Sequence, residues 1–209
     1  MRLGTWPSAA KRHKLIFGVD ENSALVVLGS QGKNNMDKST VMRVEGEGGV
    51  TILDFTGATV SNSSNSCRRG DCDDSNSFSN GFVSISNVSL SYLTEGDEYS
   101  QGQFRIALWK TSLQGREEHE RALTSYDIFS SATGTQFTNR RDHPREFVRI
   151  ACYFFHSKSY TTEGFTKEQH PTFKVVLSKV NGSAGFEGVN TDGQSFTSFI
   201  NMRVDITPL

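Results

Sequence analysis

The chain has 209 residues, of which 35% are hydrophobic and 22% charged, and its formal net charge is −1. This length allows one large β domain or two small ones, and the near-neutral charge argues against a general nucleic-acid-binding protein. The 19 glycines and 15 phenylalanines indicate many turns, and aromatic side chains suit half-buried sheet surfaces.

The segment 1–14, "MRLGTWPSAAKRHK", is a basic arm that contains Arg2, Lys11, Arg12 and Lys14 and no acidic residue. Such an arm can contact phosphate groups or a neighbouring subunit, although a solvated terminus has the same composition. No signal peptide is apparent near the start, and the apolar run "ALVVL" is too short to span a bilayer. We expect a domain boundary after the arm, weak nucleic-acid contact through it, and no membrane insertion.

Four short apolar segments follow the arm, and each predicts a strand only weakly: "LIFGV", "ALVVLG", "TVMRV" and "VTILDF". "GSQGKNN", between the second and the third, superficially resembles a phosphate-binding loop. A P-loop needs four residues between its glycines and Ser or Thr after the lysine, whereas Asn34 follows Lys33 here. We therefore interpret this segment as a tight turn.

The segment 61–81, "SNSSNSCRRGDCDDSNSFSNG", consists almost entirely of Ser, Asn, Asp and Gly. Because it has no apolar run to anchor a buried path, we predict an exposed loop between two strands. Cys67 and Cys72 can close a small disulfide ring around the tripeptide Arg69-Gly70-Asp71. The tripeptide resembles the integrin-binding Arg-Gly-Asp motif and predicts a receptor contact. A plain surface loop is the alternative, since three-residue motifs also arise by chance.

Metal binding by the same loop is the less favoured interpretation. Oxygen-bearing side chains at alternate positions from Asp71 to Ser77 are similar to the start of an EF-hand loop. The positions that require a glycine and a bidentate glutamate hold Asn76 and Phe82 instead. No two of the five histidines have the spacing of zinc ligands. We predict no metal and no cofactor.

The segment "GFVSISNVSLSYL" alternates through Val83 and Ile85, changes phase at Asn87 and resumes at Val88. Such a phase change predicts a strand with a bulge or a sharp bend. The following strand, "QFRIALWKTSL", is predicted to place three apolar side chains on one face: Phe104, Ile106 and Leu108.

One segment, "GREEHERALTSYDIF", is predicted to be a short helix, because acidic residues occupy its first turn. The next apolar segment, 147–155, "FVRIACYFF", is apolar on both faces apart from Arg149 and predicts a central strand. We interpret Cys152, within that segment, as a buried and inert thiol.

The C-terminal part of the chain alternates clearly. "TFKVVLSKV" predicts a strand with one apolar face, formed by Phe173, Val175 and Leu177. The last strand, "SFINMRVDITPL", is predicted to end at a proline and to bury four side chains: Ile200, Met202, Val204 and Ile206. Turns are predicted at "GEGG", "TEGDEYSQG", "VNGSAG" and "NTDGQS".

Eight or nine strands and one helix in a connection predict an all-β fold. We expect residues 15–209 to form a single two-sheet β-sandwich of jelly-roll or Greek-key type. No internal repeat is visible, and the loop at 61–81 lies between strands rather than between two domains.

The predicted function rests on the β-sandwich fold together with sequence features that indicate an extracellular setting. A disulfide requires an oxidising compartment, and three Asn-X-Ser sequons, at Asn62, Asn87 and Asn181, have the form of glycosylation acceptors. A non-enveloped virion coat protein, made in the cytosol and acting outside the cell, reconciles these features with the lack of a signal peptide. We therefore predict a structural, assembly-forming capsid or accessory capsid protein, whose partners are copies of itself, other shell proteins and a cell-surface receptor.

The alternative is an extracellular adhesive or lectin-like module that binds a ligand with the same loops. A hydrolase is the third interpretation, but no "GxSxG" elbow is present. The paired carboxylates Glu117-Glu118 and Asp73-Asp74 are adjacent in sequence, so their side chains should point apart. We predict no catalytic residue and no enzyme activity.

Overall fold

The computed structural model describes residues 14–28, 40–63, 82–130, 145–168 and 171–209. Within these ranges the chain forms twelve strands and one helix: β1 Leu15–Val19, β2 Ser23–Leu28, β3 Val41–Gly46, β4 Gly49–Asp54, β5 Thr59–Ser63, β6 Phe82–Thr94, β7 Glu98–Ser100, β8 Gln103–Arg105, β9 Thr111–Ser112, α1 Glu146–Phe155, β10 Thr161–Phe165, β11 Phe173–Val189 and β12 Ser195–Pro208. The strands form two antiparallel sheets, so the predicted all-β sandwich with one short helix is confirmed.

The large sheet has eight strands in the order β1-β4-β6-β12-β11-β10, with β5 paired to β6 and β9 paired to β11. The long strand β6 has two halves on this side: its start pairs with β5 and its end pairs with β4. Its other edge pairs with β12 along both halves. The long C-terminal strands therefore form the centre of the sheet, where most of the predicted alternation is found.

The small sheet has four strands in the order β2-β3-β7-β8. The predicted "GEGG" turn is confirmed: it connects β3 of the small sheet to β4 of the large one. Apolar side chains between the two sheets form a buried cluster, which consists of Val44, Val50, Ile52, Leu93 and Tyr99. Burial of this cluster holds the sheets together, since the hydrophobic effect is the main favourable contribution to folding.

Helix α1 and the segment 113–129 pack on the opposite face of the large sheet. The apolar side chains between them form the main core, whose fully buried members include Leu90, Ile128, Ile150, Phe154, Leu177, Phe199, Met202 and Val204. The protein therefore has three layers: the small sheet, the large sheet, and a third layer made of a helix and an extended segment.

The helix lies in the connection between β9 and β10, as predicted. The prediction placed it in an earlier part of that connection. "GREEHERALTSYDIF" is not helical; it runs beside β10 and the residues before it, with parallel bridges from His119 to Ser157 and from Ser125 to Gly164. The Phe165 N–H donates to the Ser125 carbonyl at 2.8 Å, and the Ile128 N–H donates to the Phe165 carbonyl at 2.9 Å. These bonds satisfy the outer backbone groups of an edge strand, which a helix would leave unpaired.

The predicted central strand at 147–155 is wrong, because these residues belong to α1. Ile150, Ala151, Phe154 and Phe155 are buried on one side, at the spacing of a helix. Arg149 lies off this face, with its Nε 2.7 Å from Glu146 Oε2. A short run of apolar residues has no clear period, so the pattern alone does not separate a buried strand from a buried helix.

The predicted bulge in β6 is confirmed. Asn87 has a positive φ of 59°, and the register against β12 shifts there. Its backbone N–H donates to Asp205 Oδ1 at 2.7 Å. A second irregularity in β12, at Asn201 with φ 56°, turns Ile200 toward the small sheet. Ile200 therefore packs beside the cluster between the two sheets, whereas the other three predicted core side chains lie in the main core.

The strand predicted for "QFRIALWKTSL" ends early. β8 stops at Arg105, and Leu108 is 93% exposed on the connection to β9.

Two predicted turns are also partly wrong: "TEGDEYSQG" contains β7, and "VNGSAG" lies inside β11. The "NTDGQS" turn is confirmed between β11 and β12. Turn-forming residues inside a longer strand mark a bulge rather than its end.

Candidate functional site

Most of the sequence-predicted site residues lie outside the described residues. These are Arg2, Lys11 and Arg12 of the arm, and Cys67, Arg69, Gly70, Asp71 and Cys72 of the loop. Lys14 is described and exposed, and its carbonyl accepts a bond of 2.6 Å from the Phe55 N–H. Ser63 and Phe82 face each other at the ends of β5 and β6. The predicted loop at 61–81 therefore begins later than expected, because residues 61–63 belong to β5; residues 64–81 lie outside the described residues.

Cys152 lies on α1 rather than on a strand, and it is partly exposed. Burial of the sulfur, together with the charge of Asp20, raises the pKa of the Cys152 thiol to about 12. A thiol with a raised pKa carries little thiolate at neutral pH, and only the thiolate is a nucleophile. This shift supports the interpretation of Cys152 as an inert side chain.

A cavity of about 680 Å³ opens beside the middle of β11. The side chains and backbone around it come from the segment 113–117, the end of α1, the residue before β10 and the centre of β11. Its polar lining includes Gln114, Glu117, Lys179, Asn181 and Ser183, and its apolar lining includes Leu113, Phe155, Tyr160 and Ala184. Pockets lined by both apolar and polar groups are where proteins bind small molecules.

One wall of the cavity is an excursion of β11 at residues 180–183, here called the β11 bulge. Lys179 pairs with Met202 and Ala184 with Ile200, so the bulge lies opposite Asn201 alone. Gly182 has φ +86°, a left-handed conformation that glycine adopts without strain. The turn-forming residues of "VNGSAG" therefore do produce a local change of direction, but it is a bulge within β11 that lines the cavity and not a turn between strands.

Hydrogen bonds fix the conformation of the β11 bulge. Ser183 Oγ accepts from the Val180 N–H at 2.8 Å and donates to the Asn201 carbonyl at 2.6 Å. Asn201 Nδ2 donates to the Gly182 carbonyl at 3.2 Å. Because these bonds link the bulge to the neighbouring strand, the wall has one defined shape before any ligand arrives.

Lys179 lies at the inner side of the cavity. Its Nζ donates to the Ser157 carbonyl at 2.5 Å and lies 4.9 Å from the centre of the Phe154 ring. Burial lowers the pKa of Lys179, and the charge of Glu117 acts in the opposite direction. An ammonium group has three donors, so Lys179 can donate further hydrogen bonds into the cavity.

Glu117 supplies the opposite charge. Hydrogen bonding from its own backbone N–H lowers the pKa of its carboxyl group, and the Gly115 N–H and the charge of Lys179 add to this shift. The cavity is therefore lined by one acidic and one basic side chain. A balanced pair of this kind favours a neutral ligand over a strongly charged one.

A second polar cluster lies inside the protein. Lys110 Nζ is 2.7 Å from Asp97 Oδ2 and 3.0 Å from Ser198 Oγ, and it donates to Thr94 Oγ1 at 2.8 Å. A lysine beside a serine is the arrangement of Ser-Lys hydrolases. Here the charged ends of Lys110 and Asp97 have no exposed surface, and Ser198 has none either. No substrate can reach the hydroxyl, so the role of the cluster is structural.

Comparison with known proteins gives no family. No family model matches the sequence, and no solved structure matches the fold. Among the described residues, no helix has the length and apolar character needed to cross a membrane. The same part of the chain contains no group of three or more His, Cys, Asp or Glu side chains that could hold a metal ion. The chain is thus defined by its architecture: an all-β protein with two antiparallel sheets and one short helix.

Proposed function

We propose that this protein is a structural, assembly-forming protein whose copies associate through two neighbouring strand edges, β1 and β2. The observation that supports the proposal is an edge of each sheet that is apolar, uncharged and unpaired within the described part of the chain. An unpaired edge offers backbone donors and acceptors to another chain. Association of this kind is the expected property of a shell-forming subunit.

At alternate residues of β1, the backbone N–H and C=O groups point away from the neighbouring strand β4. The Phe55 N–H donates to the Lys14 carbonyl at 2.6 Å, and the Asp20 N–H donates to the Gly49 carbonyl at 3.0 Å. Bonded pairs alternate along an antiparallel ladder. Leu15, Phe17 and Val19 therefore direct their N–H and C=O groups away from β4.

The backbone of β2 has the same arrangement. The Glu47 N–H donates to the Asn22 carbonyl at 3.0 Å, which sets the alternation along the β2–β3 ladder. Leu25 and Val27 therefore direct their backbone groups away from β3. Only the short turn at 20–22 separates β1 from β2 in the chain, so the open edges of both sheets lie at the same end of the sandwich.

The side chains of these edges lack the usual protection against association. Soluble proteins commonly place Lys, Pro or a bulge on an exposed edge, whereas "LIFGV" and "SALVVL" contain no charged residue and no proline. Val19 is 50% exposed and Val27 is 62% exposed. These features favour burial against another subunit.

The particular assembly that we propose is the shell of a virion, with the protein as capsid or accessory capsid subunit. Its support is the β-sandwich together with the open edges and the basic segment 1–14, which would contact nucleic acid or a neighbouring subunit. The localisation in a virion and attachment to a host-cell receptor belong to the same proposal. Each subunit contact should bury about 1,000 Å² or more.

The test is a lysine substitution at the exposed edge, Val27→Lys, with Val189→Lys as the matched control. Val189 is 57% exposed at the end of β11, away from both open edges. We expect wild type and Val189→Lys to form large oligomers, and Val27→Lys to raise the dissociation constant at least about tenfold, because charged edges oppose pairing.

Light scattering, sedimentation and electron microscopy of the full chain measure this outcome. Val27 is exposed, so the substitution should change the stability of one subunit by no more than about 0.5 kcal/mol. A monomeric wild type at high concentration contradicts the assembly proposal. Equal oligomers from both variants contradict the role of the β1 and β2 edges.

A further inference from the structure

We propose that the cavity beside the β11 bulge is a binding site for a saccharide. The proposal uses no residue of β1 or β2, so it does not depend on how copies of the chain associate. It rests on three properties of the cavity: an exposed aromatic ring, polar side chains of balanced charge, and a wall whose shape is fixed by hydrogen bonds.

The aromatic ring belongs to Tyr160, which lines the cavity and is 78% exposed. The face of an aromatic ring carries partial negative charge. The C–H groups of a sugar ring, polarised by the neighbouring hydroxyls, are a complementary partner for that face.

The polar side chains around the ring suit hydroxyl groups. Glu117 offers a carboxylate acceptor, Lys179 offers donors, and Gln114 and Asn181 offer both. A sugar hydroxyl is itself donor and acceptor, so it can bond to either kind of group. The single positive and single negative charge give no strong preference for a phosphate or for a metal ion.

Close packing beneath the cavity keeps these groups in place. A Cβ atom on Gly185 would lie 2.7 Å from Phe155 Cβ, so the strand approaches α1 more closely than any other residue would allow. Above it, the hydrogen bonds of Ser183 and Asn201 hold the β11 bulge. A site whose groups are already ordered loses less conformational entropy when a ligand binds.

The test measures binding of four neutral methyl glycosides to the full-length protein by ligand-observed NMR: those of galactose, glucose, mannose and N-acetylglucosamine. We expect at least one to bind. Tyr160→Ala should weaken that binding at least about tenfold, the loss expected of an aromatic anchor. Tyr126→Ala is the matched control, because Tyr126 is 82% exposed and lies outside the cavity, stacked on Phe165. This control should change the affinity less than about twofold.

A second matched pair tests the carboxylate. Glu117→Gln should weaken binding about fivefold or more, since it removes the charged acceptor. Glu118→Gln, at the neighbouring exposed carboxylate, should leave the affinity within about twofold of wild type. Both changes keep the size of the side chain, so the fold should be preserved.

Three outcomes overturn the saccharide site: none of the four glycosides binds, Tyr160→Ala and Tyr126→Ala bind equally well, or the protein selects peptides from a random library and no glycoside. Sedimentation of the same samples separates this result from the assembly proposal. Tyr160→Ala should assemble as the wild type does, and Val27→Lys should retain glycoside binding.

Discussion

Lys110 and Lys179 are both lysines whose pKa is lowered by burial, but their surroundings differ. Lys110 is enclosed with Asp97, Thr94 and Ser198, and every contact of its amine is internal. Lys179 contacts a carbonyl and two aromatic rings and faces a cavity. The comparison separates a cation that fixes packing from one that retains donors for a ligand.

The Lys110 network is closed because each member is paired within it. Asp97 accepts from the Thr94 N–H at 3.0 Å and from the Ala107 N–H at 2.9 Å, besides the contact with the lysine. Ser198 Oγ donates to Asp97 Oδ2 at 2.5 Å. The network joins the end of β6, the β8–β9 connection and the start of β12. Its effect is to specify how these segments meet.

The largest expected effect comes from Asp97→Asn. The substitution removes the carboxylate and leaves the Lys110 ammonium buried without its counter-charge. Breaking one partner of a buried ion pair typically costs about 3–5 kcal/mol, and we expect a loss of that size. Urea unfolding of the variant and the wild type, followed by circular dichroism, measures it.

A double variant supplies the control for that loss. Asp97→Asn with Lys110→Met removes both charges and keeps an amide oxygen at position 97 that can accept from the Thr94 and Ala107 N–H groups. The double variant should therefore be more stable than Asp97→Asn or Lys110→Met alone. If the destabilisations of the two sites simply add, the lysine and the aspartate do not act as a pair.

A much smaller effect is expected at the open site. Lys179→Met removes one hydrogen bond and a cation–π contact, and the methionine side chain can keep packing against Phe154 and Phe155. A cation–π contact contributes about 0.5–1 kcal/mol and the lost hydrogen bond about 1 kcal/mol, so the variant should lose about 1–2 kcal/mol in the same urea experiment. A loss as large as that of Asp97→Asn would show that Lys179, like Lys110, mainly stabilises the fold.

The alternation of apolar residues predicted the fold well where strands are long and have one buried face. Val175, Leu177, Met202, Val204 and Ile206 are all buried as expected. Prediction failed where the period was weak. The run at 147–155 formed a helix, because a short apolar segment satisfies both patterns.

The site was much less predictable than the fold. Asp97, Lys110 and Ser198 meet only because separate segments converge, and no local spacing in the sequence signals that contact. Tyr160 and Lys179 come together for the same reason. The one local signal was the turn composition of "VNGSAG" inside an otherwise clear strand, which marks a bulge and thereby the position of the cavity.

The smallest expected effect is a pH dependence that distinguishes the environment of Lys179 from that of Lys158, an exposed lysine on the same side of the molecule. Because burial lowers the pKa of Lys179, the unfolded chain holds more protons than the folded one between that lowered pKa and the unfolded value of about 10.4. Stability from this group therefore rises with pH in that window. Wild type should gain stability relative to Lys179→Met as the pH rises toward about 10.4.

Lys158→Met provides a control of opposite sign. The hydrogen bond to Glu120, with Nζ and Oε1 2.5 Å apart, raises the pKa of Lys158, and the charge of Glu120 adds to the shift. Its contribution is therefore present below the unfolded pKa and is lost as pH rises through the folded pKa. Wild type should thus lose stability relative to Lys158→Met only above the unfolded pKa of about 10.4. Urea midpoints of the three proteins at about pH 7.5, 10 and 11.5 measure both differences, and no gain of wild type over Lys179→Met between the first two pH values would show that burial does not govern the titration of Lys179.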